Sequence, residues 1–240
     1  MIFIYQKMRI NKKRGAWNFA DNVPKKFNVH VQKSIPYYDE GHELIKKLSD
    51  FFLTNKTRCY DIGCSTSLLL TKLSKFTNKK DLQFIGLDIE KAMIEFSKKI
   101  IKNKKIKNVK VFCKDITKYK FKKSNLIISY YTIQFVNPAH RQKIIDKIFA
   151  ALNWGGAFIF FEKIRGNDAR FQDILTSLYS DFKEKNNFPA SDILNKTKSI
   201  RGVLEPYSNF GNKSFLKKAG FKDVQTIFQY LCFKGYLCIK

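Results

Sequence analysis

Arg58-Cys59-Tyr60-Asp61-Ile62-Gly63-Cys64-Ser65-Thr66-Ser67 is the stretch on which the reading of the chain turns. Thr57 to Asp61 predicts a short strand. Gly63 and the small polar residues after it predict a tight turn, and Ser67-Leu68-Leu69-Leu70-Thr71-Lys72-Leu73 predicts a helix. A strand that feeds a helix through a glycine turn sets backbone N–H groups and a helix N-terminus at the mouth of a sheet. Gly63 has no Cβ to block a ligand there. The next apolar strand, Phe84-Ile85-Gly86-Leu87, ends on Asp88. An acid at the tip of a second strand can accept both hydroxyls of a ribose. The glycine pattern alone has little specificity, because Ser65 stands where a second glycine of G-x-G-x-x-G would be. The ordered series strand, small turn, helix, strand and acid is the stronger signal.

Composition narrows the choices. The chain has 240 residues, 44% of them hydrophobic. That fits a basic tail over 1–14 and a single domain over 15–240, with a helical cap at 15–55 and a helical insert at 165–210. No apolar run reaches the length of a membrane span. The apolar start Met1-Ile2-Phe3-Ile4-Tyr5 precedes Lys7, Arg9, Lys12, Lys13 and Arg14, the reverse order of a secretory signal. The cysteines, Cys59, Cys64, Cys113, Cys232 and Cys238, are odd in number and form no C-x-x-C. They read as free thiols in a reducing cytoplasm, without disulfides or zinc. His30, His42 and His140 have no metal spacing and read as surface residues. Net charge is +26. Such a field attracts polyanions, although lysine is spread over the whole chain. The densest run, Lys98 to Lys110, falls where a helix would end, and lysines there suit the helix dipole.

Taken in order, strands alternate with helices. Phe27, Val31 and Ile35 recur at near-helical spacing before Pro36-Tyr37-Tyr38, and either tyrosine can face a ligand. His42 to Phe52 predicts a helix, as does Lys91 to about Lys102. Val109 to Cys113 and Asn125 to Ser129 predict strands three and four. Asn137-Pro138 opens a helix running to Leu152, closed by Asn153-Trp154-Gly155-Gly156. Ala157 to Glu162, unbroken and apolar up to its last residue, suits a strand buried on both faces. Phe171 to Asn187 and Asn212 to Lys218 predict helices, and Ser191 to Leu204 a basic, partly helical piece. Val224 to Tyr230 and Leu231 to Ile239 can pair only as an antiparallel hairpin. The fold class is therefore α/β: a Rossmann-like, seven-stranded, mainly parallel sheet ending in an antiparallel hairpin, the layout of class I methyltransferases.

Several motifs carry a closer resemblance. They are Trp17-x-Phe19, Gln32-Lys33-Ser34-Ile35-Pro36-x-Tyr38, Tyr60-Asp61-Ile62-Gly63-Cys64-Ser65, Asp88-x-x-x-Ala92-Met93-Ile94-Glu95 and Asp115-Ile116. Thr132-Ile133-Gln134-Phe135, Leu152-Asn153-x-Gly155-Gly156, Glu162-Lys163, Asp181-Phe182-Lys183 and Leu216-x-Lys218-Ala219-Gly220-Phe221 complete the series. Together they resemble carboxy-S-adenosyl-methionine synthases from about Trp17 to the C-terminus. The resemblance implies a homodimer that turns S-adenosylmethionine and prephenate into carboxy-S-adenosylmethionine and phenylpyruvate. The product supplies a partner that modifies the wobble uridine of tRNA. It also implies cofactor contacts at Tyr38, Gly63, Cys64, Ser65, Asp88, Ile89, Asp115 and Ile116. Asp88 would hold the ribose, Asp115 the adenine amino group, and Ile89 and Ile116 the faces of the ring.

Two positions depart from that pattern. Tyr130 stands where the family has an asparagine beside the cofactor. Thr197 stands where the family has the arginine that grips the extra carboxylate. A charge-assisted arginine–carboxylate contact is worth about 1.5–3 kcal/mol, so its loss removes about ten- to a hundredfold of preference. Lys196 and Lys198 flank the gap as poorer matches for a planar carboxylate. Arg201 would share a face with Thr197 if the segment were helical. A sulfonium makes its methyl electrophilic, so positioning and desolvation suffice and no catalytic base is demanded. Three readings follow: a synthase with an altered carboxylate clamp, an ordinary methyltransferase on a small molecule or RNA, and a non-catalytic cofactor- and RNA-binding partner.

Overall fold

The computed structural model describes residues 13–15 and 23–240. Trp17, Phe19 and residues 1–12 of the basic tail lie outside the described residues. Seven strands, β1 (Arg58–Ile62), β2 (Gln83–Asp88), β3 (Val109–Cys113), β4 (Ser124–Tyr130), β5 (Leu152–Lys163), β6 (Asp223–Tyr230) and β7 (Phe233–Ile239), form one sheet. Its order is β3-β2-β1-β4-β5-β7-β6. β1 to β5 run parallel, and β7 lies antiparallel between β5 and β6. The order reverses between β1 and β4, and open α/β sheets carry ligand crevices at that switch.

Helices cover both faces. α1 (Val23–Ser34), α2 (Tyr38–Phe52), α3 (Leu68–Phe76) and α4 (Lys91–Asn103) precede α5 (Pro138–Ala151). α6 (Ala169–Lys185), α7 (Ala190–Ser199) and α8 (Asn209–Ala219) follow β5. Leu126, Ile127 and Ile128 of β4 and Ala157 to Phe161 of β5 are buried. Each fully buried large aliphatic or aromatic chain there contributes about 1.5–3 kcal/mol. One apolar cluster packs α1, α2 and α3 under the sheet, and a second packs α5 and α8 on the other face. Asn137 caps α5 by accepting from the Ala139 N–H at 3.0 Å, with Pro138 at the first helical position.

Three expectations change. β5 begins at Leu152, so Asn153-Trp154-Gly155-Gly156 ends α5 yet already belongs to the strand. Its early pairing, Ser124 with Leu152, is irregular, and the Gly155 N–H donates to the last residue's carbonyl. The second helix starts at Tyr38 rather than His42. His30 and His42 are buried, and only His140 is a surface residue. The two cap helices turn those imidazoles inward, where His42 lies 4.7 Å from the rings of both Tyr38 and Tyr130. Burial of a group that would carry charge pulls His42 down to about 3 and His30 to about 2, so both are neutral.

Candidate functional site

A cavity of about 1060 Å³ opens over the C-terminal ends of the parallel strands, roofed by α1, α2, α6 and α7. Asp61 near the end of β1 and Gly63 just after it, Asp88 ending β2 and Ile89 just after it, Asp115 and Ile116 after β3, and Tyr130 ending β4 all line it. Tyr38 lines it too, whereas Tyr37 is half exposed and packs on Tyr230 at 4.8 Å. Ser65 and Tyr131, whose backbones are left-handed at φ +45° and +60°, a small and sparsely used basin for residues with side chains, both line the same hollow. Strain of this kind gathers at functional sites.

The loop after β1 is tied down rather than open. The Gly63 and Cys64 N–H groups both donate to the Leu87 carbonyl, at 2.7 and 3.0 Å. The Ser65 N–H donates to Asp88 Oδ2 at 2.8 Å, and the Glu90 N–H to Oδ1 at 2.9 Å. These N–H groups were expected to face a ligand; instead they fix the Asp88 carboxylate, whose oxygens each keep a further acceptor direction. Gly63 is required here on two counts. Its φ is +72°, and a Cβ would stand 2.2 Å from Thr132 Oγ1. Asp61 is buried beside Asp88, and desolvation followed by that like charge pushes it up to about 7. Burial also raises Asp88, against the pull of its backbone donors. Asp115 is held low, chiefly by the Thr117 hydroxyl at 2.7 Å, with the Thr117 N–H at 2.8 Å adding to it. Ile116 is buried, whereas Ile89 is 66% exposed, so the two present apolar surface at different depths.

Tyr130 does not reach into the hollow with its polar end. Its hydroxyl donates to the Tyr38 carbonyl at 2.7 Å. The ring fits because residue 41 of α2 is glycine: a Cβ there would lie 2.2 Å from the Tyr130 oxygen. Tyr130 thus forms wall rather than donor, stacked at a tilt on Tyr131 at 4.6 Å and Phe161 at 5.0 Å.

The far end of the cavity is basic. Lys196, Thr197, Ile200 and Arg201 line it, and Lys198 does not. Successive helical residues turn by about 100°, so the face carrying 196, 197 and 200 turns 198 outward. Thr197 donates back to the Ile193 carbonyl at 2.9 Å. α7 ends at Ser199, and the chain then turns through Gly202 at φ +74°. Arg201 therefore does not share a helical face with Thr197 as expected, although it reaches the same cavity from the turn. Lys196 Nζ lies 2.6 Å from His30 Nε2.

Residues to which the sequence reading gave no role hold the insert in place. Arg141 donates to the carbonyls of Val136, Glu205 and Gln134 at 2.8, 2.6 and 3.0 Å. Glu162, buried near Arg141, is pushed up by burial, while Arg141 and backbone N–H groups around Ile133 pull it back. Gln134 accepts from the Lys163 N–H at 2.8 Å. Lys163 and Lys183 also line the cavity, each 4.4 Å from the centre of the Tyr179 ring. A lysine with no acid at i±3 or i±4 on an otherwise ordinary helix is the faint sequence signal for Lys183.

A strand-end cavity with acids at the C-terminal ends of β1, β2 and β3, in a sheet of this order, defines a class I methyltransferase-type α/β protein. Residues 53–230 match the methyltransferase domain family. Solved structures agree at the level of fold. A SAM dependent methyltransferase from Aquifex aeolicus superposes with TM-score 0.59 at 15% identity, over 90% of this chain and 97% of that one. An O-methyltransferase family protein from Burkholderia thailandensis does so with TM-score 0.67 at 12% identity, over 91% and 59%. The sequence is 36% identical over 225 residues to a carboxy-S-adenosyl-L-methionine synthase of Staphylococcus epidermidis, covering 93% of this chain and 97% of that one. It is 34% identical over 232 residues to the synthase of Sulfurimonas denitrificans, covering 95% and 96%. The chain belongs to the carboxy-S-adenosyl-L-methionine synthase family, and it is an S-adenosylmethionine-dependent transferase. Among the described residues, no helix is long and apolar enough to cross a membrane, and no cluster of metal-ligating side chains is present.

Proposed function

We propose that this enzyme makes carboxy-S-adenosylmethionine from S-adenosylmethionine and prephenate, releasing phenylpyruvate. The observation that carries this reading is a single cavity joining the strand-end acids to the basic wall of α7. The residues fit the nucleoside. Asp88, oriented by two backbone N–H groups, takes the ribose hydroxyls, with Gly63, Cys64 and Ser65 forming the floor. Asp115 takes the adenine amino group, Ile89 and Ile116 cover the ring, and Tyr38 and Tyr130 wall the sulfonium end. Bound there, S-adenosylmethionine would supply a sulfonium-activated methyl: the bond from the prephenate ring to its carboxylate would break, its electron pair making the ring aromatic and expelling the ring hydroxyl as hydroxide, hydroxide would leave as water with a methyl proton, and the methyl carbon would bond to the released carbon dioxide. The leaving hydroxide takes that proton, so no side chain has to remove it. The chain's work is to orient two anions against a cation and to exclude water.

Lys196 and Arg201 serve the carboxylate end in place of the family arginine, since Thr197 spends its hydroxyl on its own helix and Lys198 faces outward. We read residues 15–240 as one domain that works as a homodimer in the cytoplasm, its free cysteines suiting a reducing compartment. Supporting the dimer, α6 buries none of its residues and exposes Phe171, Ile174 and Leu178 along one stripe. The product would pass to an enzyme of tRNA wobble-uridine modification. Mass spectrometry of the nucleoside that copurifies, followed by incubation with prephenate, tests the reading. A carboxylated nucleoside and phenylpyruvate support it. Unmodified S-adenosylmethionine with no reaction favours ordinary methyl transfer, the reading that Thr197 and Tyr130 keep in view.

A further inference from the structure

One patch outside the cofactor cavity joins aromatic rings to lysines. β3 is an edge strand, and α3 and α4 cover one side of it. Val109 and Val111 point to that side and are buried, so the alternation of a strand turns Lys110 and Phe112 to the other. There they are exposed, Phe112 by 40%. The connection from β3 to β4 packs on the same face and reads Lys118-Tyr119-Lys120-Phe121-Lys122-Lys123. Its lysines are exposed and its two rings half-buried. Tyr119 and Phe121 meet edge to face at 5.1 Å, and both lie against the buried Tyr60, at 6.1 and 5.2 Å. A hollow of about 270 Å³ separates these rings from Ala150 and Ala151 of α5, and Lys120, Lys123 and Lys147 also line it.

The charge here is positioned but not cancelled. Lys147 Nζ donates to the Thr117 and Tyr119 carbonyls at 2.8 and 3.1 Å, and Lys123 Nζ to the Ala150 carbonyl at 2.9 Å. Carbonyls aim an ammonium without neutralising it, and each of these two keeps a donor for a ligand. Lys143, exposed, lies on the same face of α5 as Lys147. Among the described residues, none of Lys110, Lys118, Lys120, Lys123, Lys143 and Lys147 has a carboxylate within ion-pair distance; the ion pairs of Lys46, Lys72, Lys79, Lys91 and Arg165 lie elsewhere. Of the acids on these elements, Asp115 is engaged by Thr117, and Asp146 by Gln142 on the side that meets α8. Lysine density alone does not single out this patch, since α4 and the loop after it are richer. They expose no large apolar side chain, whereas this face adds rings to its charge. Rings take bases by stacking and lysines take a phosphate backbone, while an acidic peptide or a paired duplex would leave the rings unused. The hollow falls short of the about 300–1,000 Å³ of small-molecule pockets, so it suits one flat base of a longer chain. Unpaired bases are presented by the loops and ends of RNA.

We propose that the face formed by Phe112, Tyr119, Phe121 and the lysines of α5 and of the β3–β4 connection docks single-stranded RNA, bases against the rings and phosphates against the ammonium groups. The surface is independent of the chemistry proposed for the cavity.

Fluorescence anisotropy with a labelled single-stranded RNA of about twelve nucleotides tests it. Phe112→Ala removes an exposed ring and should weaken binding about five- to a hundredfold. Lys120→Gln combined with Lys143→Gln should weaken binding and flatten its salt dependence, each lost phosphate contact taking about 0.7 from the slope of log affinity against log salt. Lys98→Gln combined with Lys102→Gln makes the same change of charge on α4 and should leave affinity within about twofold. A duplex of the same sequence should bind more weakly and be indifferent to Phe112→Ala. The substituted side chains are all exposed, so melting temperatures near that of wild type are expected. Should Phe112→Ala melt early, the two lysine pairs decide alone. Equal losses from the two pairs overturn the surface, as does RNA affinity unmoved by Lys120→Gln with Lys143→Gln. Tighter binding of polyglutamate than of RNA, or no RNA binding at about 50 mM salt, overturns it as well.

Discussion

Gly41→Ala gives the sharpest test of how Tyr130 is held. Alanine in place of glycine in a helix ordinarily stabilises by up to about 1 kcal/mol. Here the new Cβ would stand 2.2 Å from the Tyr130 oxygen and 3.1 Å from the carbon that bears it. The ring has to move, and its 2.7 Å bond to the Tyr38 carbonyl breaks. Overpacking costs about 1–3 kcal/mol, and a buried Tyr130 hydroxyl left without its acceptor costs about 1–3 more. The net is a destabilisation of about 1–5 kcal/mol, or at least about 2–4 °C in Tm for a chain of this size. In a Tyr130→Asn background the obstruction is gone, so the same Gly41→Ala change should turn neutral or stabilising. Thermal unfolding of the four proteins, with and without S-adenosylmethionine, measures this. Tyr130 lines the cavity, so a ring displaced into it should leave the cofactor protecting Gly41→Ala less than wild type. The same sign of effect in both backgrounds would show that glycine at 41 has nothing to do with Tyr130.

Other expectations follow from the same geometry. Thr197→Arg loses only a back-bond to Ile193 and should shift the affinity ratio of carboxylated to plain cofactor upward about ten- to a hundredfold; an unchanged ratio by competitive titration counts against a carboxylate at α7. Asp61 has its folded pKa raised to about 7 from an ordinary carboxyl value near 4, so its folded form binds the extra proton. The ligand-free protein should therefore lose stability as pH rises from about 4 through about 7, and denaturant titrations of Asp61→Asn should show a flatter profile over that window. Leu178→Glu in the exposed stripe of α6 should convert the proposed dimer to monomer in sedimentation experiments, and an unchanged mass would place any interface elsewhere.

Much of the frame was legible because its signals are local. Gly63 after β1, Asp88 ending β2, Asn137-Pro138 opening α5 and the near-contact of β6 with β7 each follow from a few adjacent residues. The cofactor end of the cavity was readable for the same reason, since parallel strands bring their C-terminal residues to one edge. What failed was whatever depends on a distant neighbour. His30 and His42 looked like surface residues, because nothing in α1 or α2 announces that Lys196 or Tyr130 will meet them. Arg201 looked helical with Thr197, because the left-handed turn at Gly202 is a single glycine among polar residues. Lys163 and Lys183 sat inside recognised motifs without a role, since their shared partner Tyr179 emerges only when α6 folds back over β5. Tyr130 read as a lost asparagine; its companion, Gly41, lies eighty-nine residues away.

The helix α1 touches the insert twice, His30 against Lys196 and Ser34 against Tyr179, while Asn28 accepts from the Thr66 hydroxyl at 2.7 Å in the loop of β1. One short rod thus spans the nucleoside end and the anion end of the chamber. Whatever settles on one side tugs the same rod that frames the other, so the two ligands should sense each other's arrival. The order in which they load then becomes a property of α1, and a chimera that borrowed this helix from a relative would be expected to change that order before it changed the chemistry.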